Sequence, residues 1–217
     1  MHASVALLSR DKRFAPLVRK HGAPDFNRPH MQRTDVFQSL CHAIVYQQLS
    51  GRAAATILAR FVALFQAPNN DVRLRKSNIT FPTPDDVLKM SVHNMRAAGL
   101  SMQKVSYLKD LAEKFSDGTI RHRSLHRMES ERIVEHLTQV KGVGVWTVHM
   151  FLIFTLNRPD VLPTGDLGIR KGFQILYKLK TLPDHKTMEQ LALPWRAHAS
   201  AASWYLWRAA DGAKQKG

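Results

Sequence analysis

The residues of this chain whose types and spacing could do chemistry lie between Leu137 and Asp166. Lys141-Gly142-Val143-Gly144 interrupts two apolar helical patterns, Ile133, Val134 and Leu137 before it and Val145 to Leu156 after it, which predicts helix, hairpin, helix. Glycine at 142 and 144 permits left-handed backbone angles and close approach by another molecule. The amides of such a turn, the positive end of the helix that follows and a full charge on Lys141 all favour an anion such as a phosphate. The same glycines would equally serve a tight interhelical turn with no ligand. Beyond the second helix stands a lone carboxylate, Asp166, a group able to stabilise positive charge or activate water, or simply to cap a helix starting near Leu167. The order hairpin, apolar helix, carboxylate suggests chemistry on DNA.

The elements that must position these residues are read as helices throughout. Asp11 to Lys20 predicts a short helix, followed by a loop from Gly22 to Arg33 marked by Pro24 and Pro29. Thr34-Asp35 supplies N-cap chemistry for a helix to about Gln47, with Phe37, Leu40, Cys41, Ile44 and Val45 as its apolar stripe. Ser50 caps the next helix, to about Phe65; Ala67 to Pro82 reads as loop. Thr83-Pro84-Asp85-Asp86 starts another helix by cap, proline and first-turn acids, and Val92 to Ala98 a further short one ended by Gly99. Val105, Leu108, Leu111, Ala112 and Phe115 then share one face of a regular helix. No repeats and no run of alternating strand residues occur, so the fold class is all-α.

Composition narrows the partners. In 217 residues, 32 Lys and Arg against 17 Asp and Glu leave a net charge of +15, which favours a polyanion, nucleic acid first. A single cysteine, Cys41, excludes a disulfide framework, a multi-cysteine zinc site and a four-cysteine iron–sulfur cluster, and its apolar surroundings mark it as core. His122 and His126 have the spacing of helical metal ligands, but the arginines interleaved with them oppose a dication, so a basic patch facing phosphate is the better reading. No secretory signal is visible in His2 to Leu8, and Val145 to Leu156 is too short to span a bilayer, which predicts a soluble intracellular protein, cytoplasmic or nucleoid, or nuclear in a eukaryote.

Val140-Lys141-Gly142-Val143-Gly144-Val145-Trp146-Thr147 and Leu162-Pro163-Thr164-Gly165-Asp166-Leu167-Gly168 together resemble the helix-hairpin-helix base-excision DNA glycosylases, and most of all the 3-methyladenine DNA glycosylase II branch. The resemblance covers about residues 34 to 210. It implies a single glycosylase domain over 1–217 with two helical lobes, about 34–130 and about 131–210 plus the N-terminal segment, and an active-site cleft between them. The reaction implied is hydrolysis of the N-glycosidic bond of a flipped, alkylated purine, without a required cofactor, by a monomer acting on duplex DNA. The other class left open is a non-catalytic helix-hairpin-helix module that binds DNA and recruits repair partners.

The same resemblance assigns residues. Asp166 matches the catalytic carboxylate; Gly142, Val143, Gly144 and Lys141 match the hairpin that holds DNA; Gln48, in Tyr46-Gln47-Gln48-Leu49-Ser50, matches the plug that fills the gap left by an extruded base. Leu100 matches a second wedge, in a DNA-contacting link with Ser101 and Lys104, although it could equally seal a helix C-cap. Trp146 occupies the place where bifunctional relatives carry a Schiff-base lysine, so strand scission is not expected. Trp146, Trp204 and Tyr46 are expected to line the base pocket with Met150 and Leu167, two positions that hold tyrosine in the best-known relative. Backbone carbonyls of Thr138, Val140 and Gly142 match a site for a monovalent cation, Na+ or K+.

Overall fold

The computed structural model describes residues 2–26, 35–66 and 80–214, side chains of His2 and Lys214 excepted. Among the described residues every regular element is a helix. The chain divides into two compact units, residues 33–148 and residues 1–32 with 149–217.

In the first unit, α3 (Val36–Tyr46), α4 (Gly51–Ala63), α5 (Pro84–Lys89), α6 (Val92–Ala97) and α7 (Met102–Ser116) precede a 3-10 turn at His122–Arg127, α8 (Ser130–Leu137) and the start of α9 (Val145–Phe154). Side-chain caps begin most of them. Asp35 accepts the Phe37 amide, Ser50 that of Ala53, Ser91 that of Asn94 and Ser101 that of Lys104, while Thr83 and Asp86 cap each other reciprocally. The expected Thr34 lies outside the described residues, as does 67–79 of the expected loop. The apolar stripes predicted for α3 and α7 meet: Phe37 packs edge-on against Phe115 at 5.2 Å, and Leu40, Cys41, Ile44, Leu108 and Leu111 are fully buried. Burial also pushes the Cys41 thiol well above its usual pKa, leaving it a small hydrophobe with no chemistry.

The second unit holds α1 (His2–Arg10), α2 (Ala15–His21), the rest of α9, α10 (Leu167–Leu176), α11 (His185–Ala192), a 3-10 turn at Leu193–Trp195 and α12 (Ala199–Lys214). Phe14 contacts Trp195 and Tyr205 edge-on at 5.7 and 6.4 Å, and the Tyr205 hydroxyl donates to Gly22 O at 2.7 Å. These contacts fasten the N-terminal segment to α12. Helices α10 and α12 approach so closely at Gly172 that a Cβ there would stand 2.4 Å from Leu206 O.

Two expectations change. The helix expected from Asp11 to Lys20 starts only at Ala15, as α2, because Asp11 Oδ1 accepts the Arg13 amide at 2.8 Å to make a turn and Pro16 stands in the first turn of α2; α1 precedes it as a further helix. The boundary placed near residue 130 falls inside α9 instead, between Val148 and His149. The hairpin therefore belongs with α7, to which a buried carboxylate ties it.

Candidate active site and DNA-binding elements

That carboxylate is Asp110, whose side chain is 5% exposed. Its Oδ2 accepts the Lys141 amide at 2.8 Å, and its Oδ1 lies 2.7 Å from Lys114 Nζ and 3.4 Å from Lys141 Nζ. Burial opposes its charge, but the hydrogen bonds from Lys114 and the Lys141 amide prevail and hold its carboxyl below the usual range. The Lys141 ammonium is thus shared with Asp110 rather than offered whole to a phosphate. Sequence reasoning passed over Asp110; the signal was an acid set between Leu108 and Leu111 of the apolar face of α7.

The two hairpin glycines differ. Gly142 has φ +78° and lies against the Tyr107 ring, where an added Cβ would be 2.1 Å from Cδ2. Gly144 has no positive φ, and nothing lies within 4 Å of where its Cβ would be, so it presents open backbone. Left-handed geometry is needed at Gly142 alone. Val140 and Val143 are buried beneath the turn, and Thr138 to Gly144 line a shallow recess.

Beside the hairpin, Gln47 Nε2 donates to Gly142 O at 2.8 Å, so the loop after α3 is hydrogen-bonded to the turn. Gln48 follows at φ 57°, a backbone angle unusual outside glycine, with its side chain exposed. The wedge and contact residues expected from α6 to α7 have other partners. Leu100 is 1% exposed and belongs to the core, sealing the end of α6 behind Gly99, while Ser101 Oγ is occupied as the α7 cap. Lys104 sends its ammonium to Val45 O at 2.6 Å and Gln47 O at 2.8 Å, and burial lowers its pKa. Tyr46 stacks on His42, with ring centroids 6.1 Å apart.

In the other unit Asp166 caps α10: its Oδ1 accepts the Ile169 amide at 2.8 Å. The same oxygen accepts a second bond, from Trp207 Nε1 at 2.9 Å, and the Trp207 ring is stacked on Phe154 at 5.9 Å. A side chain at Gly168 would intrude, its Cβ falling 2.9 Å from Trp207 Cδ1 and 3.0 Å from Asp166 Oδ1. Upstream, His185 Nδ1 and Thr164 Oγ1 are 2.7 Å apart, pinning the Pro163-Thr164-Gly165 approach to the carboxylate. The carboxylate is therefore a cap and also a group aimed by an indole. Among the described residues no cluster of three or more His, Cys, Asp or Glu could hold a metal ion.

Residues 41–197 match the family described as HhH-GPD superfamily base excision DNA repair protein. The chain belongs to this family. It is 36% identical over 210 residues to DNA-3-methyladenine glycosylase 1 of Schizosaccharomyces pombe, across 95% of this chain and 86% of that protein. The structure of Schizosaccharomyces pombe 3-methyladenine DNA glycosylase (Mag1) in complex with abasic DNA is similar with a TM-score of 0.76, at 34% identity and with 96% of each chain covered. DNA-3-methyladenine glycosidase from Bacillus halodurans is similar with a TM-score of 0.77, at 28% identity, over 97% of this chain and 89% of that one.

As an HhH-GPD protein the chain gives its expected pocket residues unequal surroundings. Trp146 is 49% exposed and Leu167 54% exposed, and Met150 is half-buried. Trp204 is different: 8% exposed, it donates Nε1 to Asp25 O at 3.1 Å, and the Arg208 guanidinium sits 4.6 Å from its ring centroid. The Arg208 guanidinium covers one face of the ring that was expected to receive a cationic base. Trp207, which no sequence motif singles out, is the indole that reaches the carboxylate.

Proposed function

We propose that this HhH-GPD protein is a monofunctional DNA glycosylase that extrudes an alkylated purine from duplex DNA and hydrolyses its N-glycosidic bond, leaving an abasic site. The observation that carries the reading is Asp166, a carboxylate in the family's position whose Oδ1 is fixed by the Ile169 amide and the Trp207 indole. Breaking a purine–deoxyribose bond puts positive charge on the sugar, and a fixed carboxylate near C1′ lowers the energy of that charge without reorganising. Water adds its oxygen to C1′ and loses a proton, while the purine leaves with the bonding electrons. A cationic alkylated purine leaves as a neutral base, which makes such lesions the favoured substrates.

The remaining residues hold the DNA. Open backbone at Gly144 admits a phosphate to the turn, and exposed Gln48 is suited to fill the gap behind the flipped base. At Trp146 an indole stands where a lysine would form an imine, so the backbone is not cut. A Na+ or K+ would be held by carbonyls of Thr138, Val140 and Gly142. Val140 O already accepts the Val143 amide and Gly142 O accepts Gln47, but each oxygen keeps a second lone pair, and the neutral oxygen donors suit such an ion. Bound there, the ion would add positive potential for a phosphate. No helix among the described residues is long and apolar enough to cross a membrane. A monomer acting in the compartment that holds the DNA completes the proposal.

Single-turnover release of free base from duplexes differing only in one lesion tests it. 3-Methyladenine and 7-methylguanine should be released faster than hypoxanthine, a neutral base with a more stable bond. Binding of duplex DNA with no release of any alkylated base would identify a non-catalytic DNA-binding module instead.

A further inference from the structure

Helix α7 carries a polar stripe, Gln103, Lys104, Tyr107, Asp110 and Lys114, at the three- and four-residue spacings that share one helical face. Each member has a structural partner. Lys104 Nζ takes the carbonyls of Val45 and Gln47, at the base of the loop that presents Gln48. Tyr107, whose hydroxyl accepts Gln103 Nε2 at 2.6 Å, lays its ring under Gly142. Asp110 takes the Lys141 amide and is itself held by Lys114. The loop and the hairpin are then closed onto each other by Gln47 Nε2 and Gly142 O at 2.8 Å.

We infer that α7 is a ruler that sets the spacing between the gap-filling loop and the phosphate-binding hairpin, with Lys104 as the positioning residue for Gln48. The two attachment points, Lys104 and Asp110, are six residues apart, roughly 9 Å along a rigid helix. A rigid mount matters because a plug that must stay in register with a bound phosphate loses its advantage if either end drifts; ordering it beforehand removes that cost from binding. Gln48 also sits at φ 57°, a conformation that persists only when neighbouring contacts over-determine it. Those contacts are the two carbonyls that flank the loop's start. Lys104 therefore serves DNA through Gln48 and not by meeting a phosphate, although a lysine in a basic protein invites the second reading. The inference rests on Gln48 being the plug proposed above.

The test compares affinity for a duplex containing a tetrahydrofuran abasic analogue with affinity for the same undamaged duplex, using the full chain. Lys104→Met should lower this preference about tenfold, leave affinity for undamaged DNA and its salt slope unchanged, and be rescued by Lys104→Arg. Gln48→Ala should lower the preference similarly, and the double variant should lose no more than the worse single one, because both changes disable one device. Additive losses, or a fall in undamaged-duplex affinity with a salt slope smaller by about one, would make Lys104 a direct phosphate contact and overturn the ruler. An unchanged preference in Gln48→Ala would instead overturn the plug assignment beneath it. Should Lys104→Met prove poorly folded by its melting temperature, Gln47→Met, which removes the Nε2 donor from the closing hydrogen bond without adding charge, must lower affinity for the abasic-analogue duplex more than for the undamaged one; equal losses on both duplexes overturn the inference.

Discussion

Trp207 Nε1 donates to Asp166 Oδ1 at 2.9 Å, so an indole from α12 aims the carboxylate that caps α10. A hydrogen bond to a charged acceptor contributes about 1.5–3 kcal/mol, and one that holds orientation acts on the rate more than on binding. Trp207→Phe keeps an aromatic ring to stack on Phe154 and removes only the donor. Base release should slow by about ten- to a hundredfold while affinity for abasic-analogue DNA stays the same. A wild-type single-turnover rate would show that Trp207 merely packs.

Gly168 and Gly172 separate geometry from stability. Alanine at 168 would meet the Trp207 ring and Asp166 Oδ1, whereas alanine at 172 would meet Leu206 backbone. Gly168→Ala should cost about tenfold in rate with little loss of melting temperature, because alanine also favours the helix by about 1 kcal/mol. Gly172→Ala should destabilise by about 1–3 kcal/mol, since a backbone oxygen cannot rotate away. Thermal melts beside single-turnover rates distinguish the two, and the reverse pattern would refute the assignment.

The hairpin glycines divide the same way. Gly142→Ala places a Cβ on the Tyr107 ring at a positive φ and should lower stability by about 2 kcal/mol or more. Gly144→Ala adds a Cβ with nothing within 4 Å, so it should leave the melting temperature nearly unchanged while weakening binding to every DNA sequence alike. Sequence-dependent loss would mean that Gly144 faces a base.

Much of this was legible in the sequence, and what was not has physical reasons. Periodicity and caps place α3, α4, α5, α6 and α7, because a serine or aspartate before an apolar stripe states both where a helix starts and which face is buried. The glycines announce the hairpin, but their division of labour does not show, since it depends on Tyr107, which is 35 residues away along the chain. The resemblance offers Lys104 and Leu100 as DNA contacts, with a C-cap seal as the other reading of Leu100; carbonyls take the Lys104 ammonium and Leu100 is buried behind Gly99. Trp204 and Trp207 are three apart on one helix, and no one-dimensional pattern tells which indole reaches a carboxylate 41 residues upstream. Thr155 Oγ1 is buried without a hydrogen-bond partner, and nothing in the structure explains it.

Asp110 adds a pH dependence. Its folded-state pKa is depressed, so its contribution to stability is present above the unfolded value near 4 and is lost as pH falls through the folded one. Asp110→Asn should destabilise the protein by about 2 kcal/mol at pH 7, with a constant gap from wild type above about pH 5 that closes in stronger acid. Denaturant melts across pH 2 to 8 check this, and a gap that persists unchanged to pH 2 would remove the charge from the explanation.

The most direct measurement is single-turnover release of 3-methyladenine or 7-methylguanine by Asp166→Asn beside its affinity for abasic-analogue DNA. Asparagine retains an Oδ1 that can accept the Ile169 amide and the Trp207 indole, so the α10 cap and the fold survive while the negative charge is lost. Base release should fall at least about a hundredfold with affinity unchanged. Release at the wild-type rate would contradict a catalytic Asp166, and loss of binding together with stability would reduce it to a helix cap.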